Sequence, residues 1–288
     1  MSTPLRQSLV RELTLRGCSP RTIETYVYWV FDLARYYHRS PDRISDDELK
    51  DYQFHLHQRK LRSSSIHQAV HALRTFYTLV LHRPVDQLQR VLIAPRPETR
   101  RPEVFSIQEI EQLLTRGAPE VRDRTFLATV YAAGLRLNEA CHLRIQDLHS
   151  DRMQIRVEQG KGRKDRYTIL SSKLLEQLRA YWRVYRPTHW LFPSRRDPDQ
   201  PLPDGTAQRL YHRAVKRAGL RPKGGIHCLR HSFATHLLEA GVEVTIVQRL
   251  LGHRALNTTA RYLHVRTERL AQIKSPLALI DLRSIPTA

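Results

Sequence analysis

Cysteine is scarce and unpatterned. The 288-residue chain holds three, Cys18, Cys141 and Cys228, an odd number with no C-x-x-C pair, which excludes a disulfide framework and a zinc knuckle and points to a reducing compartment. Long apolar runs are missing too: no stretch approaches the roughly 18 residues that would cross a bilayer, and the N-terminus has no signal-peptide core, so nothing is expected to span a membrane. Acidic residues are few, 28 against 48 Lys and Arg for a formal charge of +20, and no acidic cluster stands ready for paired magnesium ions. Lysine itself is rare, eight residues against forty arginines. An excess of this size points to an anionic partner, most simply nucleic acid, because neutralising phosphates releases counterions and dominates affinity. A coding bias toward arginine, or a membrane surface, would leave the same balance.

What is present is a globular composition, 41% hydrophobic and 26% charged, long enough for one or two domains with real cores. Residues 1–83 have no strand-like alternation and read as four helices. The first, Leu5 to Arg16, ends at Gly17. Ser19-Pro20 opens the second, with Ser as N-cap and Pro in the first turn, and Ile23, Val27, Val30, Phe31 and Ala34 as its buried stripe. Ser45 and Glu48 make a capping box for the third, 46–60. Ser63 to Ser65 start the fourth, whose Ile66, Val70, Leu73, Phe76, Tyr77 and Val80 are spaced for a core. The block is basic, 13 residues to 8, with Arg21, Arg35 and Arg39 facing solvent or phosphate, and without an evident catalytic set. It reads as a DNA-gripping domain, with a structural or dimerising bundle as the alternative. From 84 to 102, Pro84, Pro95, Pro97 and Pro102 alternate with Arg90, Arg96, Arg100 and Arg101, a semi-extended connector whose arginines would follow a phosphate backbone.

Residues 103–288 hold the chemistry. Ser106 and Glu109 form another capping box, and a helix over 122–133 stops at Gly134, which places Arg136 near the start of the next helix, where an anion is already favoured. Met153, Ile155 and Val157 alternate, as do Tyr167 and Ile169, giving a β-hairpin whose tip carries Lys161, Arg163 and Lys164. After helices over 174–185 and 206–218 comes the densest stretch, 225–262. His227 and Arg230 are one turn apart on a helix whose Leu229, Phe233, Leu237 and Leu238 seat it on a core. Gly241 closes that helix, and a second apolar run ends at Gly252, which aims His253 off the helix end. Asn257 is a fair N-cap for the segment bearing Tyr262.

Metal-free cleavage of a phosphodiester needs cations on the non-bridging oxygens, a nucleophile and an acid for the leaving oxygen. Two arginines, a lysine, two histidines and a tyrosine provide those types. Each also has a plainer reading: a lone His or Tyr is usually packing or surface, Arg136 can be a helix-end ion pair with Glu139, and the helices over 227–251 can read DNA as a helix-turn-helix without catalysis. His227, Cys228, His231 and His236 lack zinc-ligand spacing, so no metal is expected.

Taken together, Ala133-Gly134-Leu135-Arg136-Leu137-Asn138-Glu139-Ala140, Gly160-Lys161-Gly162, His227-Cys228-Leu229-Arg230-His231-Ser232-Phe233-Ala234-Thr235-His236, Leu250-Leu251-Gly252-His253 and Thr258-Thr259-Ala260-Arg261-Tyr262 resemble, in order and spacing, the tyrosine recombinase (phage integrase) family, most nearly its short Xer-like and integron-integrase-like members. The resemblance implies a mainly α fold with a small antiparallel β-sheet: an N-terminal four-helix core-binding (SAM-like) domain over 1–83, a linker over 84–102, and a catalytic domain over 103–288 with a C-terminal tail from 274. It implies Arg136 and Arg230 as the phosphate clamp, Lys161 as general acid, His227 and His253 in support, Glu139 behind the arginines and Tyr262 as nucleophile. Arg21, Arg35, Arg96, Arg100, Arg101, Arg163 and Lys164 are the expected DNA contacts. The implied reaction is strand exchange between two DNA sites through a 3′-phosphotyrosyl link and a Holliday junction, needing neither metal, cofactor nor ATP. Double-stranded DNA is the expected partner, a homotetramer the expected assembly, with or without a partner recombinase, in the cytoplasm on the nucleoid, the apolar tail packing on a neighbour. A type IB topoisomerase-like relaxing enzyme and a non-catalytic DNA-binding regulator are the rival readings.

Overall fold

The structure, a computed structural model, describes residues 4–96, 103–158, 165–253, 255–260 and 262, with Asn257 by its backbone alone. Lys161, Arg100, Arg101, Arg163, Lys164 and the tail from 274 therefore lie outside the described residues. The chain divides into two compact units, Met1–Arg100 and Arg101–Ala288, each with its own hydrophobic core.

The first unit is helical: α1 (Pro4–Leu15), α2 (Pro20–Tyr37), α3 (Asp46–Gln58), α4 (Ser63–Leu79) and α5 (Val85–Val91). Local chemistry fixes its helix starts. Ser19 accepts the Thr22 N–H at 3.2 Å, and Ser45 and Glu48 exchange bonds at 3.3 and 2.9 Å in a complete capping box, satisfying amides that no helical carbonyl reaches. Two features differ from the sequence reading. Phe31 is 60% exposed, while its neighbour Asp32 is buried. The reversal is possible because Asp32 accepts from Tyr52 Oη at 2.8 Å, Arg35 at 2.6 Å and Arg59 at 3.1 Å, so the carboxylate enters the core already paired. The stretch expected to be a connector also contains α5: Pro84 stands at its N-cap, Leu88 and Val91 are buried in the first unit's core, and Arg74 donates to the Leu92 carbonyl just beyond it. Proline before a helix is tolerated where proline within one is not.

The second unit begins with α6 (Ile107–Gln112), capped by Ser106 and Glu109, then α7 (Val121–Ala132) and the single turn α8 (Leu137–Cys141). Three strands follow, β1 (Leu148–His149), β2 (Gln154–Val157) and β3 (Arg166–Ile169), an antiparallel sheet in sequence order with Ile155 opposite Thr168 and Val157 opposite Arg166. Here too the expected face is inverted in one strand. Ile155 and Val157 point inward, but so do Arg166 and Thr168, leaving Tyr167 and Ile169 outside. Register explains it, since residues directly opposite share a face of the sheet. Both inward polar groups are satisfied, Thr168 by the Ala133 carbonyl at 2.8 Å and Arg166 by Glu139 and the Leu250 carbonyl.

The rest is α9 (Ser172–Tyr185), α10 (Asp204–Arg217), α11 (His227–Glu239), α12 (Val244–Leu251) and α13 (Leu256–Ala260). Among the described residues no helix is long and apolar enough to cross a membrane. α11 is not seated by one apolar stripe. Cys228, Leu229, Arg230, Ser232, Phe233, Ala234, Thr235 and Leu238 are all buried, so it is enclosed on most sides, α7 being one of the helices packed against it. That enclosure puts an arginine inside the protein. Asn257 does not cap the last helix, which starts one residue earlier at Leu256.

Candidate active site

Arg230 is the centre of the site, 4% exposed. A guanidinium withdrawn this far from water requires acceptors for its donors. It donates through Nη1 to the Gly134 carbonyl at 2.7 Å and through Nη2 to the Leu251 carbonyl at 2.6 Å. Gly134 follows the end of α7 and Leu251 is the last residue of α12, so two helix C-termini, where carbonyls lack partners and the dipole is negative, face one cation. Burial, and then the like charge of Arg136, pull its pKa down to about 9, which still leaves it charged at neutral pH.

Glu139 supplies the anion. It lies in α8 three residues after Arg136, the N-cap residue of that turn, and accepts the Arg136 backbone N–H at 2.7 Å and its Nη1 at 2.7 Å. Arg166 meets the same carboxylate with both prongs, at 2.8 and 2.7 Å, and Arg230 Nη1 is 3.6 Å from it. Burial opposes ionisation of Glu139, yet the Arg166 and Arg136 contacts outweigh it and hold the pKa down at about 2. Three cations on one carboxylate leave a local excess of positive charge, and Arg136, one third of whose side chain is exposed, presents it outward.

The histidines flank this group. His227 opens α11, and packing around its ring, then Arg230 and Arg136, lower its pKa, with Glu139 opposing. His253 follows Gly252, whose left-handed φ of 64° turns the chain off the end of α12. Its Nε2 lies 3.2 Å from Arg230 Nη2 and its Nδ1 2.9 Å from Thr259 Oγ1. A guanidinium can only donate, so in this arrangement Nε2 accepts and Nδ1 carries the proton toward Thr259. Tyr262 is 3% exposed, packed with Phe233, Ala234, Leu238, Val247 and Leu251, and its phenol oxygen is 2.6 Å from Nδ1 of His231.

Of the expected site residues, Arg136, Glu139, His227, Arg230 and His253 thus gather in the second unit, and Tyr262 lies against the chain neighbour of Arg230. Lys161 belongs to the segment between β2 and β3 outside the described residues. Arg21 and Arg96 are exposed on the first unit, whereas Arg35, also exposed, already shares Asp32. Sequence reasoning missed Arg166, His231 and Thr259. The signal for His231 was its place directly after Arg230. Arg166 carried the opposite signal, since strand alternation turned it to solvent.

Comparison with known proteins places these features in a family. The model of the phage integrase family matches residues 103–269, and that of the phage integrase N-terminal SAM-like domain matches residues 5–87. The chain is 40% identical to the putative integrase/recombinase y4qK of Sinorhizobium fredii, over 99% of this chain and 92% of that one. It is 34% identical to the tyrosine recombinase XerA of Thermococcus kodakarensis, over 93% of each. Among solved structures, XerH site-specific recombinase bound to a palindromic difH substrate in a post-cleavage complex matches with a TM-score of 0.73 at 23% identity, covering 89% of this chain and 80% of that one.

Proposed function

The chain belongs to the phage integrase family and is a site-specific DNA recombinase, and from that premise we propose that Tyr262 is its nucleophile, with Arg136 and Arg230 clamping the scissile phosphate. The observation that carries this reading is the meeting of Arg136, Arg230, His253 and Glu139 in one network, with the Tyr262 phenol on the residue next to Arg230. Fixed donors aimed where charge develops need no reorganisation during reaction, and each is worth about 3 to 4 kcal/mol of barrier.

In the proposed reaction Tyr262 attacks the phosphorus, forming a 3′-phosphotyrosyl ester and freeing a 5′ hydroxyl, whose oxygen takes its proton from Lys161. His227, whose pKa is lowered by burial and then by Arg230 and Arg136, is suited to exchanging a proton with the phosphate oxygens. His253, beside Arg230, would donate to the same oxygens from Nε2 once that nitrogen carries the proton. The 5′ hydroxyl of a second duplex then displaces the tyrosine, and two rounds of exchange pass through a Holliday junction. The ester conserves the energy of the broken bond, so ATP is not required. Four copies acting on paired DNA sites, with the tail from 274 packing on a neighbouring copy, complete the proposal, and Arg21, Arg96, Arg100, Arg101, Arg163 and Lys164 are its phosphate contacts, Arg35 contributing what Asp32 leaves free. DNA as partner places its work in the cytoplasm on the nucleoid.

The test is a duplex selected from a random pool by binding to this protein and nicked beside the cleavage point, so that the cut strand end is lost. Wild type is expected to form a covalent adduct that survives detergent, and Tyr262→Phe to form none. Absence of the adduct with wild type would leave a DNA-binding regulator. Relaxation of supercoils without joining of two cognate sites would leave a topoisomerase.

A further inference from the structure

We infer that His231 is the proton acceptor for the tyrosine nucleophile, a role that rests on Tyr262 being that nucleophile. A phenol with its ordinary pKa near 10 is ionised in only about one molecule in a thousand at neutral pH, so an attacking tyrosine needs a group to take its proton. The group must lie within hydrogen-bond reach of the phenol oxygen, about 2.6 to 3.2 Å. His231 Nδ1 is 2.6 Å away. Imidazole is also the side chain whose ordinary titration lies nearest neutral pH.

Position on α11 gives the second argument. His227, Arg230 and His231 stand at i, i+3 and i+4 and so share one side of the helix. The two histidines then divide the work. His227, at the solvent end of the helix, stands among Arg230, Arg136 and Glu139, while His231 holds the phenol. The rings of His231 and Tyr262 are 5.7 Å apart at 45°, a tilted pair joined at the edge through the hydroxyl. Tyr262 is buried among Phe233, Val247 and Leu251. Arg230, adjacent in the chain, bears on the phenol electrostatically, and its positive charge favours the phenolate once the proton has left.

The step balances without any other reactant. As the Tyr262 O–H bond breaks, an N–H bond forms at Nδ1 of His231, giving an imidazolium. The phenolate electron pair makes the O–P bond while the P–O5′ bond breaks, and the departing oxygen is protonated by a different acid. On religation the incoming 5′ hydroxyl reverses each step, and the imidazolium returns its proton to the tyrosine.

The test uses the full-length protein and the nicked duplex described above, in single-turnover adduct formation. His231→Ala is expected to slow cleavage by at least ~10²-fold with DNA affinity unchanged, and added imidazole to restore part of the rate. His231→Gln keeps a hydrogen-bonding partner but cannot take the proton; it is expected to be as slow, and serves if the alanine variant misfolds. A duplex with sulfur in place of the bridging 5′ oxygen needs no acid for its leaving group, so it is expected to leave both variants slow while restoring Lys161→Ala. Cleavage by His231→Gln within about threefold of wild type, faster cleavage than wild type, or rescue by the bridging sulfur would each overturn the assignment. Failure of wild type itself to form the adduct overturns the nucleophile assignment instead, so the two failures are distinct.

Discussion

Replacing Glu139 by Gln removes the carboxylate that Arg136, Arg166 and Arg230 share, and its cost follows from the structure. In the folded protein Glu139 titrates at about 2 rather than 4.5, because Arg166 and Arg136 outweigh its burial; at about 1.4 kcal/mol per pH unit that difference is about 3 kcal/mol. A carboxyl held below its unfolded value stabilises the fold fully above pH 4.5 and loses that contribution as pH falls toward 2. The figure agrees with the roughly 3 to 5 kcal/mol lost when one member of a buried ion pair is deleted. In a Trp29→Phe background the remaining tryptophans, Trp182 and Trp190, both lie in the second unit, so their fluorescence reports on the unit that holds the site. Urea unfolding at neutral pH is expected to show Glu139→Gln less stable by about 3 kcal/mol, with the difference shrinking steadily between pH 4.5 and 2.5. Stability profiles for the two proteins that run parallel across that acid range would refute the reasoning, because the carboxylate would then have no preferred partner in the fold.

Two further substitutions test neighbouring parts of the site. Arg230→Lys keeps the charge but cannot reach the Gly134 and Leu251 carbonyls as a fork; adduct formation is expected to fall by at least ~10²-fold while DNA binding holds, and equal losses in both would count against the clamp. At Gly134 the backbone φ is +60°, and an added Cβ would sit 2.4 Å from the Phe233 ring. Gly134→Ala is therefore expected to cost about 1 to 3 kcal/mol and to slow cleavage by moving a carbonyl that holds Arg230, so an unchanged melting temperature would contradict it.

Much of this protein was written locally in its chain. Helix starts at Ser19, Ser45 and Ser106 were legible because capping depends on residues three apart, and the stops at Gly17, Gly134 and Gly252 because left-handed backbone favours glycine. The family resemblance carried by the motifs named Arg136, Glu139, His227, Arg230, His253 and Tyr262 as the expected site. What tertiary structure decided were the cases where a polar group goes inside. Asp32 displaced Phe31 from the core because Tyr52, Arg35 and Arg59 converge on it. Arg166 turned inward because its strand pairs with Val157 and its guanidinium finds Glu139, 27 residues earlier, and Leu250, 84 residues later. The contact of Tyr262 with His231 spans 31 residues in the same way. Hydrophobic periodicity assigns charged and polar side chains to water by default, and only partners brought from distant segments can compensate the desolvation that overturns it.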